Sequence, residues 1–212
     1  MKYYLVILFA ICFLPAFTQT DWELRKDEDN IKVYTKKKEG YSIKASKVIT
    51  VMETTLPVLV AIMMDAENFY KVVPTSKSSK LLKKVSENEF IYYVATKAPW
   101  PVSDRDGVYS MNFSQDPNTK TVKIKVGNIP DFYPVQDDHI RVPASEGLWQ
   151  FKPLGNGKVE IIYESVADAG GSIPAWLANS SVVNIPFGTI ENLRELVKLE
   201  KYKGQTFSFL TN

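Results

Sequence analysis

Residues 173–202 read IPAWLANSSVVNIPFGTIENLRELVKLEKY, and this stretch decides the fold. Its apolar residues recur at steps of three, four and seven, which predicts an amphipathic α-helix with one apolar face. Ser172 can cap the first N–H groups, and Pro174 suits the first turn. Pro186 removes one backbone hydrogen bond, which predicts a kink or a break. The predicted apolar face consists of Trp176, Val183, Phe187, Ile190, Leu193 and Val197.

The remainder of the chain consists mostly of strand patterns separated by turn residues. Thr55 and Pro57 open a short helix after the third strand, and it ends near Asp65. Most neighbouring strands follow one another through hairpins, so the sheet should be antiparallel. We therefore expect an α+β fold in which a curved antiparallel sheet wraps around the C-terminal helix and leaves an apolar cavity between them. Nine strands are predicted, over residues 22–25, 31–35, 41–51, 79–86, 89–96, 107–114, 121–127, 139–154 and 158–168.

Composition excludes several classes of function. The chain has 212 residues with 45% apolar content, which is typical of one globular domain. A net charge of +2 is too balanced for a protein that binds nucleic acid through bulk electrostatics. One cysteine and one histidine make a transition-metal site improbable. Because no nucleophile, metalloprotease or phosphate-loop motif is present, we expect no catalytic residue, no metal and no cofactor.

The N-terminus is typical of a secretory signal peptide. Lys2 precedes an apolar run over residues 3–13, which is too short to span a membrane. Residues 16–18 resemble a cleavage site, so we predict a signal peptide over residues 1–18 and a single domain over residues 19–212. The mature protein would lack the only cysteine, Cys12, and would be periplasmic or secreted.

Four stretches resemble the START domain family of lipid-transfer proteins. The most specific is WPVSDRD, residues 100–106, and the match spans residues 22 to about 201 in the family's order. The resemblance implies a helix-grip fold and a monomer that binds a lipid or another hydrophobic small molecule. The long helix that usually precedes the first strand of the family is missing. The other three stretches are WEL at residues 22–24 with NIKVY at 30–34, EGLW at 146–149 and GSIPAWLAN at 171–179.

Arg105 is the first candidate for the binding site. A buried arginine needs a partner, which could be a structural ion pair with Asp104, Asp106 or another carboxylate, or the polar head group of a ligand. Charged residues are common in the cavities of the family, so the resemblance makes Arg141 a second candidate.

Aromatic and helix residues complete the candidate site. Trp100 lies between two prolines, where it could plug the cavity mouth or contact the ligand. Exposed aromatic residues at 132–134 could make a transient membrane contact. Further candidates that could be either core or ligand contacts are Trp149, Tyr163, Trp176, Val183, Phe187 and Ile190.

The expected function is therefore binding, and transfer, of a hydrophobic ligand, without catalysis. Two alternatives stay open. The first is an enzyme on the same scaffold, such as a cyclase or isomerase, which would need a polar group inside the cavity. The second is an interaction module with a collapsed cavity that docks a partner protein. If the protein transfers a ligand, residues 186–188 are a place where the helix could flex during ligand exchange.

Overall fold

A computed structural model describes residues 21–211 of the chain. The predicted signal peptide lies outside the described residues. Ten strands form one sheet in the order β1-β2-β3-β10-β9-β7-β6-β5-β4, with β8 paired to β6 off this path. The strands are β1 Glu23–Glu28, β2 Ile31–Lys36, β3 Ala45–Glu53, β4 Ser76–Ser86, β5 Glu89–Thr96, β6 Asp104–Gln115, β7 Val122–Asn128, β8 His139–Arg141, β9 Ala144–Gly155 and β10 Lys158–Asp168.

The sheet is antiparallel except at one short strand. The single strand predicted over residues 139–154 is wrong, because the chain breaks at Pro143, which cannot donate a ladder hydrogen bond. The first part becomes β8, which pairs in parallel with the start of β6. The second part becomes β9, the central partner of β7 and β10. The α+β architecture predicted from the sequence is confirmed.

The short helical segment follows β3 as predicted. Helix α1 spans Leu56–Met64 with Thr55 as its N-cap residue, although the Thr55 side chain makes no capping hydrogen bond. A 3-10 helix, Ala66–Lys71, follows directly and leads to β4.

The long helix α2 spans Ala175–Leu196, and its N-cap residue is Pro174. Ser172 therefore lies too early to cap it, and that prediction is wrong. The helix continues through Pro186 without a break. Every buried residue of α2 lies at or after this proline, whereas the preceding turns are exposed or half-buried.

The second half of α2 is anchored in the main core. Ile190 and Leu193 are fully buried, and Arg194 donates a 2.6 Å hydrogen bond to the carbonyl oxygen of Asp29 in the β1–β2 turn. A 3-10 turn follows at Glu200–Tyr202, where the Tyr202 hydroxyl donates to Asp65 at the end of α1 at 3.0 Å. These contacts fix one end of the helix against the sheet and α1.

The C-terminal tail, which follows the last predicted element, packs against the core. Phe207, Phe209 and Leu210 pack against the main cluster of buried residues. The backbone N–H of Thr211 donates to the side-chain oxygen of Gln115 at 2.7 Å, which ties the tail to the end of β6. No sequence pattern predicted this packing, since the segment is too short to show a period.

Candidate functional site

A cavity of about 510 Å³ lies between the sheet and the first half of α2. Its floor is a row of paired residues that crosses five strands from β3 to β6. The apolar part of the lining also includes Phe69, Val94 and Trp149, and the helix contributes Leu177 and Ile185. The residues of the floor row, in order, are Ser46, Ser165, Gly147, Val126 and Met111.

A second row makes one end of the cavity polar. Ser76 of β4 pairs with Thr96 of β5, and Thr96 pairs with Arg105 of β6. Paired residues on neighbouring strands point to the same face, with the strands about 4.8 Å apart. All three residues line the cavity, as does Thr75 beside them. This end therefore offers several hydrogen-bond donors to a ligand.

Arg105 is 6% exposed and lies in this polar end. Its guanidinium donates to three backbone carbonyl oxygens, those of Ser103, Ala169 and Gly170, at 3.3 Å for Ala169 and 3.2 Å for Gly170. Within residues 21–211 it forms no ion pair. Burial lowers the pKa of Arg105 from its ordinary value, against the opposing charge of Asp104. The structural ion pair considered from the sequence is therefore absent from the described residues.

Both neighbouring carboxylates have other partners. Asp104 accepts from Lys77 at 2.5 Å and from the Ala98 backbone N–H at 2.9 Å, which pins the β5–β6 loop. Asp106 accepts two hydrogen bonds from Arg141, at 2.7 and 2.9 Å. Because Asp106 alternates with Arg105 along β6, it points to the opposite face of the sheet.

Arg141 stabilises a loop on the convex face rather than lining the cavity. It is almost buried, and it also donates to the carbonyl oxygens of Pro130, Tyr133 and Pro134. Burial raises the pKa of Asp106, but the hydrogen bonds and charge of Arg141 outweigh burial and leave that pKa below its ordinary value. The paired Asp106 raises the pKa of Arg141. This pair and its loop cover a second small cluster of buried residues, Ile91, Tyr93, Ala95 and Val108.

Two aromatic side chains shape the middle of the cavity. Tyr163 stacks on Trp149 with 3.9 Å between ring centroids. Tyr109 folds back over Gly107, where an added Cβ would lie 2.1 Å from the Tyr109 hydroxyl oxygen, so only glycine permits this approach. Burial raises the pKa of both tyrosines, which keeps their hydroxyls neutral at physiological pH.

Exposed tryptophans flank the mouth of the cavity. Trp100 is 92% exposed, although its loop neighbours Pro99 and Val102 line the cavity. Trp176 is 63% exposed in the first turn of α2, one residue before the lining residue Leu177. The expectation that Trp176 packs in the core is wrong, because the sheet does not cover the first turn of α2. Trp100 likewise does not plug the mouth.

The structure brings together three of the nine predicted site residues. Arg105, Trp149 and Tyr163 line the cavity. The other six lie outside its lining, and ligand contact by any of the nine stays a prediction. Those outside are the rim residues Trp100 and Trp176, the convex-face Arg141, and Val183, Phe187 and Ile190, which pack against the main core.

The face of α2 that lines the cavity is not the apolar face that the sequence predicted. Apart from the exposed Trp176, the apolar stripe packs on the core, and the Lys26 ammonium lies 3.4 Å from the ring centroid of Phe187. The cavity is lined by the adjacent face, which includes the polar residues Ser181 and Asn184. Sequence reasoning missed Tyr109 and Met111, although counting every second residue from Arg105 along β6 would have found them.

A groove of about 650 Å³ adjoins the cavity on the outside. It lies between the β2–β3 connection, residues 37–44, and one turn of α2 at Ala178 and Asn179. Its lining is lysine-rich and it shares Ile43, Lys44 and Ala178 with the cavity. The apolar share of the lining surface is higher in the cavity than in the groove.

Two searches of the described residues bear on other functions. No group of three or more metal-ligating side chains comes together within residues 21–211. Over the same range, no helix has both the length and the apolar content needed to cross a membrane.

Comparison with known proteins identifies relatives along most of the chain. The START domain family model matches residues 14–202. An uncharacterized protein of Pseudomonas aeruginosa is 33% identical over 174 residues, covering 82% of this chain and 85% of that protein. The phosphatidylcholine transfer protein of Rattus norvegicus is 27% identical over 190 residues, covering 87% and 86% respectively. A crystal structure of a STAR-related lipid transfer protein from Xanthomonas axonopodis superimposes with a TM-score of 0.78 at 34% identity, covering 85% of this chain and 100% of that one.

Proposed function

Because the chain belongs to the START domain family, we propose that it binds a hydrophobic ligand in the cavity between the sheet and α2 and transfers it between membranes. The single observation that carries this proposal is the cavity of about 510 Å³ with its mainly apolar lining. Two relatives are named as lipid transfer proteins, which supports the same class of ligand.

Burial of the ligand supplies the binding free energy. Each methylene removed from water contributes about 0.8 kcal/mol. A chain of about ten methylenes therefore contributes several kcal/mol after the entropy cost of ordering it is subtracted. No bond needs to form or break, so the proposed mechanism requires no catalytic residue and no cofactor.

Ligand exchange uses the mouth between the β5–β6 loop and the first half of α2. This half of the helix has no buried residue before Pro186, so its displacement exposes little core. The second half stays anchored by Ile190, Leu193 and Arg194. Opening the cavity therefore does not require the fold to open.

The rim tryptophans support a transient membrane contact at this mouth. Trp100 and Trp176 are the most exposed large apolar residues of the described chain. Tryptophan favours the membrane–water interface because one part of its ring system is apolar and its N–H remains hydrated. The predicted signal peptide supports export of the protein to a periplasm or the extracellular space, where such a monomeric carrier would work.

The alternatives differ from a carrier in a measurable way. An interaction module with a collapsed core is disfavoured by the cavity itself. An enzyme is kept as a second candidate because the neutral hydroxyls of Tyr109 and Tyr163 face the cavity region. Such an enzyme would release a ligand of altered mass, whereas a carrier releases the ligand unchanged.

A vesicle assay tests transfer directly. Donor vesicles carry a fluorescent lipid with a quencher, and the protein should accelerate its appearance in acceptor vesicles. Ser181→Phe fills the cavity from the helix and should abolish the acceleration, whereas Glu191→Phe adds the same ring on the exposed face of α2 and should not. Equal transfer by the Ser181→Phe variant would contradict the proposed site.

A further inference from the structure

The cavity binds one class of ligand better than others. Resting on the proposed function, we propose that the ligand is a single-chain amphiphile with an anionic, oxygen-bearing head group, such as the carboxylate of a fatty acid. Its head group lies at the polar row of Ser76, Thr96 and Arg105, and its chain runs along the apolar part of the lining, which includes Phe69, Val94 and Trp149.

The first argument is charge. Arg105 is 6% exposed, yet within residues 21–211 no carboxylate lies within ion-pair distance of it. Asp104 and Asp106 are held by Lys77 and Arg141, so neither is available. An uncompensated charge on a side chain that is largely shielded from water is unfavourable, and a ligand anion would compensate it. The carbonyl oxygens around Arg105 orient the guanidinium but leave its net charge in place.

The second argument is unused hydrogen-bonding capacity. A guanidinium has five N–H donors, and Arg105 uses three of them on backbone carbonyls. One N–H remains on each terminal nitrogen, which suits the two oxygens of a carboxylate. Beside it, the hydroxyls of Thr75 and Ser76 are buried and have no partner. Buried hydroxyls normally have partners, and the residues Thr75 and Ser76 both line the cavity.

The third argument is volume. The cavity measures about 510 Å³, and a methylene occupies about as much space as a water molecule, roughly 30 Å³. The cavity therefore holds about seventeen such groups. One acyl chain with a small head group matches this number, whereas two long chains on a phosphoglycerol backbone would extend beyond this volume.

The decisive test compares matched ligands on the purified full-length protein by competition with a fluorescent fatty acid. Palmitate should bind at least about tenfold more tightly than hexadecanol, because a hydrogen bond to a charged group is worth considerably more than one between neutral groups. Acetate should not compete, since it lacks the chain. Hexadecanol binding as tightly as palmitate, or acetate competing at similar concentration, would overturn the anionic-amphiphile assignment.

Two further outcomes separate this proposal from the proposed function. Binding and transfer of two-chain phosphatidylcholine, without palmitate binding, would overturn the inference and support the general carrier role. Failure of palmitate, hexadecanol and phosphatidylcholine to bind at all would overturn both.

Variants of the hydroxyls test the location without disturbing the fold. Thr75→Val with Ser76→Ala removes two groups that have no partner in the protein, so stability should be unchanged. Palmitate affinity should fall about tenfold or more, while hexadecanol affinity should change little. Thr35→Val is the matched control, because Thr35 has a buried unpartnered hydroxyl outside the cavity lining. Unchanged palmitate affinity in the double variant would place the head group elsewhere.

Discussion

Asp106 and Arg141 form a buried ion pair on the convex face of the sheet, whereas their neighbour Arg105 lines the cavity. Arg141→Met would leave Asp106 in a fully buried position without its ion-pair partner, and residues 21–211 supply no second one. Breaking a buried pair in this way typically costs about 3–5 kcal/mol. We predict a loss of this size in the free energy of unfolding, measured by urea denaturation.

The double variant Asp106→Asn with Arg141→Met is the control for this prediction. It leaves no unpaired buried charge, so it should be more stable than Arg141→Met alone. A double variant that is less stable than the single one would show that the loop contacts of Arg141, rather than the ion pair, dominate.

The pH dependence of stability follows from two carboxylates, the half-buried Asp65 and the buried Asp106. Burial raises the pKa of Asp65, but hydrogen bonds from Lys201, Asn68 and Tyr202 outweigh burial and leave that pKa below its ordinary value. The pKa of Asp106 is lowered in the same way by Arg141. A depressed folded-state pKa gives stability that is complete above the unfolded-state pKa and lost as the pH falls through the folded one.

We therefore predict constant stability near neutral pH and a decline that begins around pH 4 and continues below it. Urea unfolding across this range measures the decline. Asp65→Asn should flatten part of it, whereas Asp131→Asn, an exposed residue without an ion pair, should not. Parallel curves for wild type and Asp65→Asn would contradict the assignment.

Sequence reasoning singled out a residue that lines the cavity, Arg105, but did not predict its surroundings. The WPVSDRD stretch singled out Arg105, and the structure places it in the cavity. Its partners could not be predicted, because the three carbonyls come from the β5–β6 loop and from residues 169 and 170, more than sixty positions away. Arg141 was wrongly predicted to line the cavity for the same reason. The face of the sheet on which it lies depends on the pairing of β8 with β6.

At the scale of elements, Pro186 divides α2 into an open half and an anchored half. Its ring removes the N–H that would donate to the carbonyl of Val182, and both residues line the cavity. Pro186→Ala restores that hydrogen bond and should stiffen the helix, so ligand release should slow. Stopped-flow release of a fluorescent fatty acid measures this rate. An unchanged release rate would contradict a flexing role. An equal change in the release rate of the remote control, Pro117→Ala, would contradict it as well.

The rim tryptophans belong to two different elements that meet at the mouth. Trp100→Ala and Trp176→Ala should weaken sedimentation with lipid vesicles and slow vesicle-to-vesicle transfer. Ligand affinity should be unaffected, because neither residue lines the cavity. Leu154→Ala removes an exposed apolar residue from the β9–β10 hairpin and should change neither property. Normal vesicle binding by the double tryptophan variant would exclude this contact surface.

Most elements were predictable because their turns carry clear signals. Asn88, Asn156 and its flanking glycines mark hairpins that the structure contains. The lining face of α2 was not predictable, because a periodic pattern shows which residues are apolar and not whether they face a packed core or a cavity. Ser181 and Asn184 therefore read as a solvent-facing side, although they line the cavity.

At the scale of the whole molecule, the cavity results from curvature that no local pattern encodes. The sheet packs closely on the second half of α2 and diverges from the first half. The space between is bounded by rows of residues paired across up to five strands. A slip of one residue in any of these pairings would reverse a strand's faces, so the lining depends on the complete sheet.

The most direct measurement is native mass spectrometry of the protein purified from its host, before and after organic extraction. A carrier should show a reproducible adduct with the mass of a single-chain lipid, which extraction releases unchanged and which the Ser181→Phe variant lacks. A protein without any adduct that also fails to bind added palmitate, hexadecanol and phosphatidylcholine would contradict the central claim that this cavity carries a hydrophobic ligand.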